Sequence, residues 1–380
     1  MKKTVMCLAA ASALALASAL VAAPASAHDH GGSPPTAGPP VTIAEGLVTP
    51  FSLEVDRQRV AYVAQNFAGQ LTKVARDKTV SVLASAPGEE ITAVSSRDGY
   101  VYYAQITFDH SSGSMVRVPE SGGTPEPFAD LFAYESTENP DADAVYGFQG
   151  ITDDCLAQFP PPGPMSGPPA TSGQVDIHPY ASLALNNAIF VADAGANAIT
   201  RVDYDGTVST VAVLPPQAPV QATVEQLEEY DYPACAAGLD WITEPVPTDI
   251  EIGPDGWLYV TTLPGGPESA ALGARGSVYK VNPRSGEVKL VATGFAGATG
   301  LAVATDGTIY VTEIFGGADG SGQISVLTKR STTPVPLTQV PNPAAIEIRS
   351  NRLFVTWNVL AEPPAGQPPL GTLSVIEVSR

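Results

Sequence analysis

Six segments of the chain repeat one pattern, and that repetition limits the fold more than any other feature. They are SLEVDRQRVAYVAQN (52–66), TAVSSRDGYVYYAQI (92–106), SLALNNAIFVADA (182–194), DIEIGPDGWLYVTTL (249–263), LAVATDGTIYVTEI (301–314) and AIEIRSNRLFVTWN (345–358). Each opens with apolar residues at every second position, such as Ile250/Ile252, Leu301/Val303 or Ile346/Ile348, the period of a strand with one buried face. A tight turn follows, three times as Asp-Gly (Asp98-Gly99, Asp255-Gly256, Asp306-Gly307), the sequence signal of a hairpin. The second strand then carries an aromatic residue: Tyr62, Tyr102, Phe190, Tyr259, Tyr310 or Phe354.

A third strand follows each hairpin (QLTKVA, SMVRVP, AITRVD, SVYKVN, QISVLT, TLSVIEV), but a fourth follows only five times, at 80–84, 126–131, 208–213, 288–292 and 334–340. The strand that would complete the sixth unit is VTIAEGL, residues 41–47, ahead of the first hairpin. The reading is an all-β chain: a six-bladed β-propeller of four-stranded antiparallel blades, closed by strand 41–47 completing the last blade. Closure explains how so many short strands avoid open edges. Seven blades is the nearest variant, and two β-sandwiches would not leave a strand missing at the opposite end of the chain.

The intervals from Tyr102 to Phe190 and from Phe190 to Tyr259 are longer than the ~40–45 residues of one blade, which places insertions at 132–180 and 214–247. Both leave the face that carries the loops between second and third strands. Each holds one cysteine, Cys155 and Cys235. A disulfide between them would pin the insertions together as a cap. QATVEQLEEYDY (221–232) reads as a short helix, and 28–40 as a disordered lead-in.

Residues 1–27 have a lysine pair, an apolar alanine-rich run and Ala25-Ser26-Ala27, the form of a signal peptide cleaved after Ala27. An exported, extracytoplasmic product follows, in a compartment that permits disulfides. No other stretch is apolar enough for a membrane span. The formal net charge of −20 excludes nucleic acid, which needs a basic surface. A monomer is expected, and its 35 glycines and 36 prolines suit a fold rich in turns.

Aligning the hairpins places Gln65, Gln105, Asp193, Thr262, Glu313 and Trp357 in one slot at the end of the second strand, with Asn66 and Asn358 one residue further. Asp249 and His178 lie where first strands begin, at the same end. These residues mark the funnel mouth, where a small molecule, glycan or protein would bind. Asn66, Asp193, Asp249 and Glu313 offer oxygen ligands for Ca²⁺. Equally, carboxylates at strand ends can simply accept backbone amides. No Ser/His/Asp set, H-E-x-x-H or His/Cys zinc cluster is legible.

VADAGANAITRVDYDG (191–206) resembles the NHL repeat, with Ala198 in place of the usual basic residue. The run from HPYASLA through VADAGANAITRVDYDGTVSTVAVLPPQ, PVPTDIEIGPDGWLYVTTLPGGPE, LGARGSVYKVNPRSGEV and ATGFAGATGLAVATDGTIYVTEIFGG is similar to the exported ScyD/ScyE family. That resemblance implies a secreted propeller and brings no catalytic residues with it. Broader propeller relatives, gluconolactonase-like lactonases and streptogramin lyases, imply a divalent-cation-dependent enzyme as the alternative. The lactonases hold their ion with Glu, Asp and Asn side chains, and the lyases use a histidine base, for which His178 is the candidate here.

Overall fold

The computed structural model describes residues 34–161, 169–266 and 273–379. The expected signal segment, its cleavage point and most of the proline-rich run 159–170 lie outside them. The regular structure of the described chain is almost entirely antiparallel sheet.

Six sheets of four strands follow one another along the chain. Sheet 1 comprises Pro50–Val55, Ala61–Gln65, Gln70–Val74 and Val80–Ser85. Sheet 2 comprises Glu89–Arg97, Tyr100–Thr107, Gly113–Pro119 and Glu126–Asp130. Sheet 3 comprises Pro179–Ala184, Ile189–Asp193, Ala198–Val202 and Val208–Val213. Sheet 4 comprises Pro247–Ile252, Leu258–Thr262, Gly276–Val281 and Val288–Phe295. Sheet 5 comprises Ala298–Val303, Ile309–Glu313, Gln323–Leu327 and Val335–Gln339. Sheet 6 takes Ile346–Arg349, Arg352–Trp357 and Gly371–Ser379 from the end of the chain and Val41–Leu47 from its beginning, with Val41 opposite Val375 and Leu47 opposite Gly371. Thr36–Ala37, inside the span expected as a disordered lead-in, also pairs with Val378 and Ser379.

The hairpin turns obey their residues. Asp98 and Gly99 both have positive φ (52° and 84°), as a two-residue loop of type I′ requires.

Apolar residues pack between consecutive sheets rather than at one centre. Tyr62, Leu71, Ile91 and Tyr103 fill the space between sheets 1 and 2. Tyr102, Met115, Ile189 and Val191 do so between sheets 2 and 3. The series continues through sheets 3–4, 4–5 and 5–6. It returns to sheet 1 through Leu53, Val63, Phe354 and Leu373. The repeated aromatic of the second strand belongs to these layers, with Tyr62, Tyr102, Phe190, Tyr310 and Phe354 at most 5% exposed.

The first strands of neighbouring sheets pack side by side around an axis without a backbone ladder between them. Side chains provide the missing bonds. Val94 N–H donates to Ser52 Oγ (3.0 Å), Ser182 Oγ to Ala93 O (2.6 Å), Thr248 Oγ1 to Ala298 O (2.8 Å) and Thr299 Oγ1 to Pro343 O (3.1 Å). Small hydroxyl residues occupy these positions because a buried N–H or C=O left unpaired costs about 1–3 kcal/mol. The axial cavity they enclose has about 10 Å³ of free space, enough for one water.

The expected Cys155–Cys235 disulfide is present, with Cα atoms 5.8 Å apart. It ties two insertions that share more than the bridge. Val145–Phe148 and Ala170–Ser172 pair within the first, Asp240–Ile242 and Val220–Gln221 within the second, and Gly147–Phe148 pairs with Trp241–Ile242 across them, forming a seventh small sheet. Phe148, Leu227, Tyr230 and Trp241 form its own core. The helix in the second insertion is Val224–Glu229, opened by a capping box between Thr223 and Gln226.

Candidate functional site

The slot at the end of the second strand works first as a clip. Gln65 Oε1 accepts Val48 N–H (2.6 Å), Asp193 Oδ1 accepts His178 N–H (2.7 Å) and Glu313 Oε2 accepts Ala296 N–H (2.7 Å). In each case the donor lies one or two residues before the first strand of the same sheet, so the side chain fixes the entry of the inner strand. Glu313 also accepts from Gln323 Nε2 (2.8 Å) and from Ser325 Oγ. Asp249 ties sheet 4 to sheet 5 by accepting Ile250 N–H (2.8 Å) and Leu301 N–H (2.7 Å). Gln105 Nε2 donates to Glu89, and Trp357 Nε1 donates to Ser374 Oγ (2.9 Å). Asn66 is buried and opens the turn Asn66–Ala68, while Asn358 has φ 56° at the end of its strand. Asp193, Asp249 and Glu313 form no convergent ligand group among the described residues.

One group does converge there: Glu90, His110 and His178, with one ligand atom from each lying within 4.8 Å of the others. Glu90 starts the inner strand of sheet 2, His110 sits in the loop after Thr107, and His178 precedes the inner strand of sheet 3. His110 Nε2 lies 3.9 Å from Glu90 Oε1 and His178 Nε2 lies 3.5 Å from Glu90 Oε2. The imidazoles stack with centroids 4.7 Å apart and a 19° interplanar angle, and both nitrogen edges face the carboxylate.

Both histidines are held from behind. His110 Nδ1 meets Asp176 Oδ1 at 3.0 Å, the carboxylate–histidine arrangement that orients a metal-ligating ring. The Asp193 clip fixes the backbone of His178, and buried Ile177 anchors the segment in the layer between sheets 2 and 3. Gly195 lets the sheet-3 rim loop pass this segment, since a Cβ there would lie 2.8 Å from Asp176 C and from His178 N.

Electrostatics follow from the same contacts. Burial pushes the Glu90 carboxyl up, but the imidazoles facing it more than offset this and hold it at about 2. The acceptor Asp176, and after it the nearby Glu90 carboxylate, raise His110 to about 10 against the opposing effect of burial. Burial raises Asp193 to about 6, with the His178 and Ala196 amides pulling it down.

Two imidazoles and one carboxylate supply three protein ligands, the number that leaves a position open for a substrate or water. Ligands about 2.0–2.1 Å from a tetrahedral ion are about 3.3 Å from one another; the His178–Glu90 spacing of 3.5 Å is close to this, and the three ligand atoms, within 4.8 Å, would draw together on an ion. Glu90 Oε2 and His178 Nε2 are buried atoms that lack a well-formed hydrogen bond, a pair that a shared cation would satisfy. The group is reachable from solvent, both histidine side chains being about one quarter exposed. Beside it runs an aromatic ledge in which Tyr180 meets His178 (6.2 Å), Phe51 meets Tyr180 and Phe67 (6.1 Å each), and Phe67 meets Phe108 (6.5 Å). Phe67 and Phe108 are more than half exposed.

Of this group, sequence reasoning places Glu90 and His178 among the strand starts at the mouth and takes only His178 as a candidate site residue, with His110 in a loop of the second unit. The signal that could have joined them is topological, because loops after second strands and starts of first strands meet on one face.

Neither a protein-family model nor a curated protein sequence matches the chain. Solved structures do. The PQQ-bound aldose sugar dehydrogenase of Streptomyces coelicolor is 13% identical over 92% of this chain and 100% of that one, with a TM-score of 0.54. A Bacteroides thetaiotaomicron protein of unknown function is 13% identical over 91% of this chain and 73% of that one, with a TM-score of 0.52. A gluconolactonase of Xanthomonas campestris is 12% identical over 93% of this chain and 99% of that one, with a TM-score of 0.50. At these identities the likeness is one of fold, and the fold is a β-propeller.

Proposed function

We propose that the chain is an exported six-bladed propeller of the ScyD/ScyE type, a single domain over 41–380 left after cleavage at Ala27. In this reading its capped mouth takes a divalent transition ion on Glu90, His110 and His178. The ion presents a small oxygen-bearing ligand to the mouth, as in a cation-dependent lactonase or lyase. Six interfacial layers, the last joining sheet 6 to sheet 1, support the blade count.

The observation that carries the functional reading is the convergence of two imidazoles and a buried carboxylate around one point, backed by Asp176 and open to solvent. Imidazole-rich sets favour Zn²⁺, Fe²⁺, Ni²⁺ or Cu²⁺ over Ca²⁺. The dehydrogenase and lactonase among the similar structures show that this fold carries small-molecule chemistry elsewhere. The exposed Phe67 and Phe108 rings give the ligand's apolar part a surface.

Titration calorimetry of metal-stripped protein with ZnCl₂ should show one site, lost in His178→Ala and in Glu90→Gln. Lactone and ester substrates are then screened with and without the ion. The proposal fails if the wild-type protein takes up no transition ion, or if both variants bind it as the wild type does.

A further inference from the structure

Beneath the cap lies a second polar group that the mouth does not use. Asp141 comes from the first insertion, Glu244 from the second, and Asn197 from the rim loop of sheet 3. Asp141 Oδ2 accepts from Tyr146 OH (3.0 Å) and from Asn197 Nδ2 (2.9 Å), and the same amide reaches Glu244 Oε1 at 3.4 Å. Asp141 is 2% exposed and Asn197 0%.

The group is short of positive charge. The charged neighbours that act on Glu244 are Asp141 and Asp176, and those acting on nearby Glu135 are Asp193, Asp141 and Asp176. Burial is the main cause that raises Asp141, Glu244 and Glu135 above the usual carboxyl range. Three buried oxygens have no hydrogen-bond partner: Asp141 Oδ1, Asn197 Oδ1 and Glu135 Oε1. Among the described residues, a neutral amide is thus the one donor shared by buried Asp141 and partly buried Glu244, carboxylates from different insertions. Burying a carboxylate without a cation is costly, because water no longer solvates the charge.

We propose that Asp141, Asn197 and Glu244 hold a hard divalent cation, Ca²⁺ by its chemistry, which locks both insertions of the cap onto the rim of sheet 3. A half-turn of the Asn197 amide puts its oxygen where the nitrogen now stands, 2.9 Å from Asp141 Oδ2 and 3.4 Å from Glu244 Oε1. Oxygens bound to Ca²⁺ at 2.3–2.6 Å sit about 2.8–3.5 Å apart, a range that holds both Asn197 spacings. All-oxygen ligands select Ca²⁺ over the nitrogen-seeking ions of the histidine centre. The two sites therefore call for different ions, and this proposal stands or falls without the other.

The test uses EDTA-treated full-length protein, with Ca²⁺ followed by thermal melting and Tb³⁺ followed by luminescence excited through Tyr146. Saturable Tb³⁺ emission displaced by Ca²⁺ is expected. So is a rise in melting temperature of roughly 5 °C at a hundredfold excess of Ca²⁺ over its Kd. Asp141→Asn and Glu244→Gln should each weaken Ca²⁺ binding about tenfold or more, while the exposed Glu126→Gln leaves it unchanged. Glu244 is only partly buried, so Glu244→Gln is the variant of choice if Asp141→Asn fails to fold. Absence of both the emission and the melting shift overturns the proposal. It is also overturned if Glu244→Gln raises the melting temperature in EDTA while Ca²⁺ has no effect on the wild type, which would mean that the carboxylates share a proton instead.

Discussion

Replacing Glu251 with glutamine should remove one share of the stability loss that the axial carboxyls Glu54, Asp249, Glu251 and Glu347 together cause between pH 5 and pH 8. Glu251 faces the axis on the inner strand of sheet 4. The charged groups around it are Asp249, Glu347 and Glu54, with Arg349 the one cation. Arg349 is already engaged, 2.7 Å from Glu347 Oε2 and 3.4 Å from Glu54 Oε1. Burial first, then Asp249 and Glu54, outweigh Arg349 and hold the Glu251 carboxyl up at about 8, against 4.5 when unfolded. A group whose folded pKa is raised contributes fully below its unfolded pKa. That contribution falls as pH rises from about 4.5 to about 8, where the folded state still carries a proton that the unfolded state has released. At pH 7 the loss is about 3 kcal/mol. Glutamine keeps the shape and the hydrogen-bonding capacity and has no proton to lose. Its melting temperature should exceed that of the wild type by roughly 5 °C at pH 7 and match it near pH 4.5. Melting scans at pH 5, 6, 7 and 8 in EDTA test this, with the exposed Glu126→Gln as control. A wild-type profile that is flat across this range, or a Glu251→Gln slope equal to the wild type's, would refute the reasoning.

Two further outcomes follow from features described above. Cys155→Ser with Cys235→Ser opens a loop spanning 80 residues of sequence, which the chain-entropy estimate values at roughly 4 kcal/mol. The loss should appear as early hydrogen exchange in the cap sheet while sheets 1–6 keep their protection. Glu313→Ala leaves Ala296 N–H, Gln323 and Ser325 without their buried acceptor. It should lower stability by about 2–3 kcal/mol in denaturant titrations and leave Zn²⁺ uptake unchanged, and loss of the ion would instead place Glu313 in the metal site.

Short apolar runs set off by turn residues and repeated six times mark strands in the sequence, which is why the strands of every repeat were legible, down to Val41–Leu47 pairing with Gly371–Ser379. The cap sheet was not. Its strands are two to four residues long, too short for any period, and its pairing joins two insertions distant in sequence. The same limit applies to the site. The slot residues were legible because the scaffold repeats them, and the structure gives Asp193 and Glu313 backbone amides as partners. His110 lies in no repeated position, so nothing local marks it as a neighbour of His178, 68 residues on. Its place depends on how sheets 2 and 3 stack, a long-range outcome that a single loop sequence does not encode.

The pairing of Thr42 with Ser374, 332 residues apart, also bears on the order in which the molecule assembles. Each hairpin closes a loop of a few residues, whereas this strand would have to close one spanning nearly the whole chain. The added entropic cost is about 4 kcal/mol if nothing else has formed. Once sheets 1–5 have stacked, the two ends are already near each other and most of that cost is gone. Sheet 6 is therefore the seam at which folding finishes, and the place from which the ring first opens.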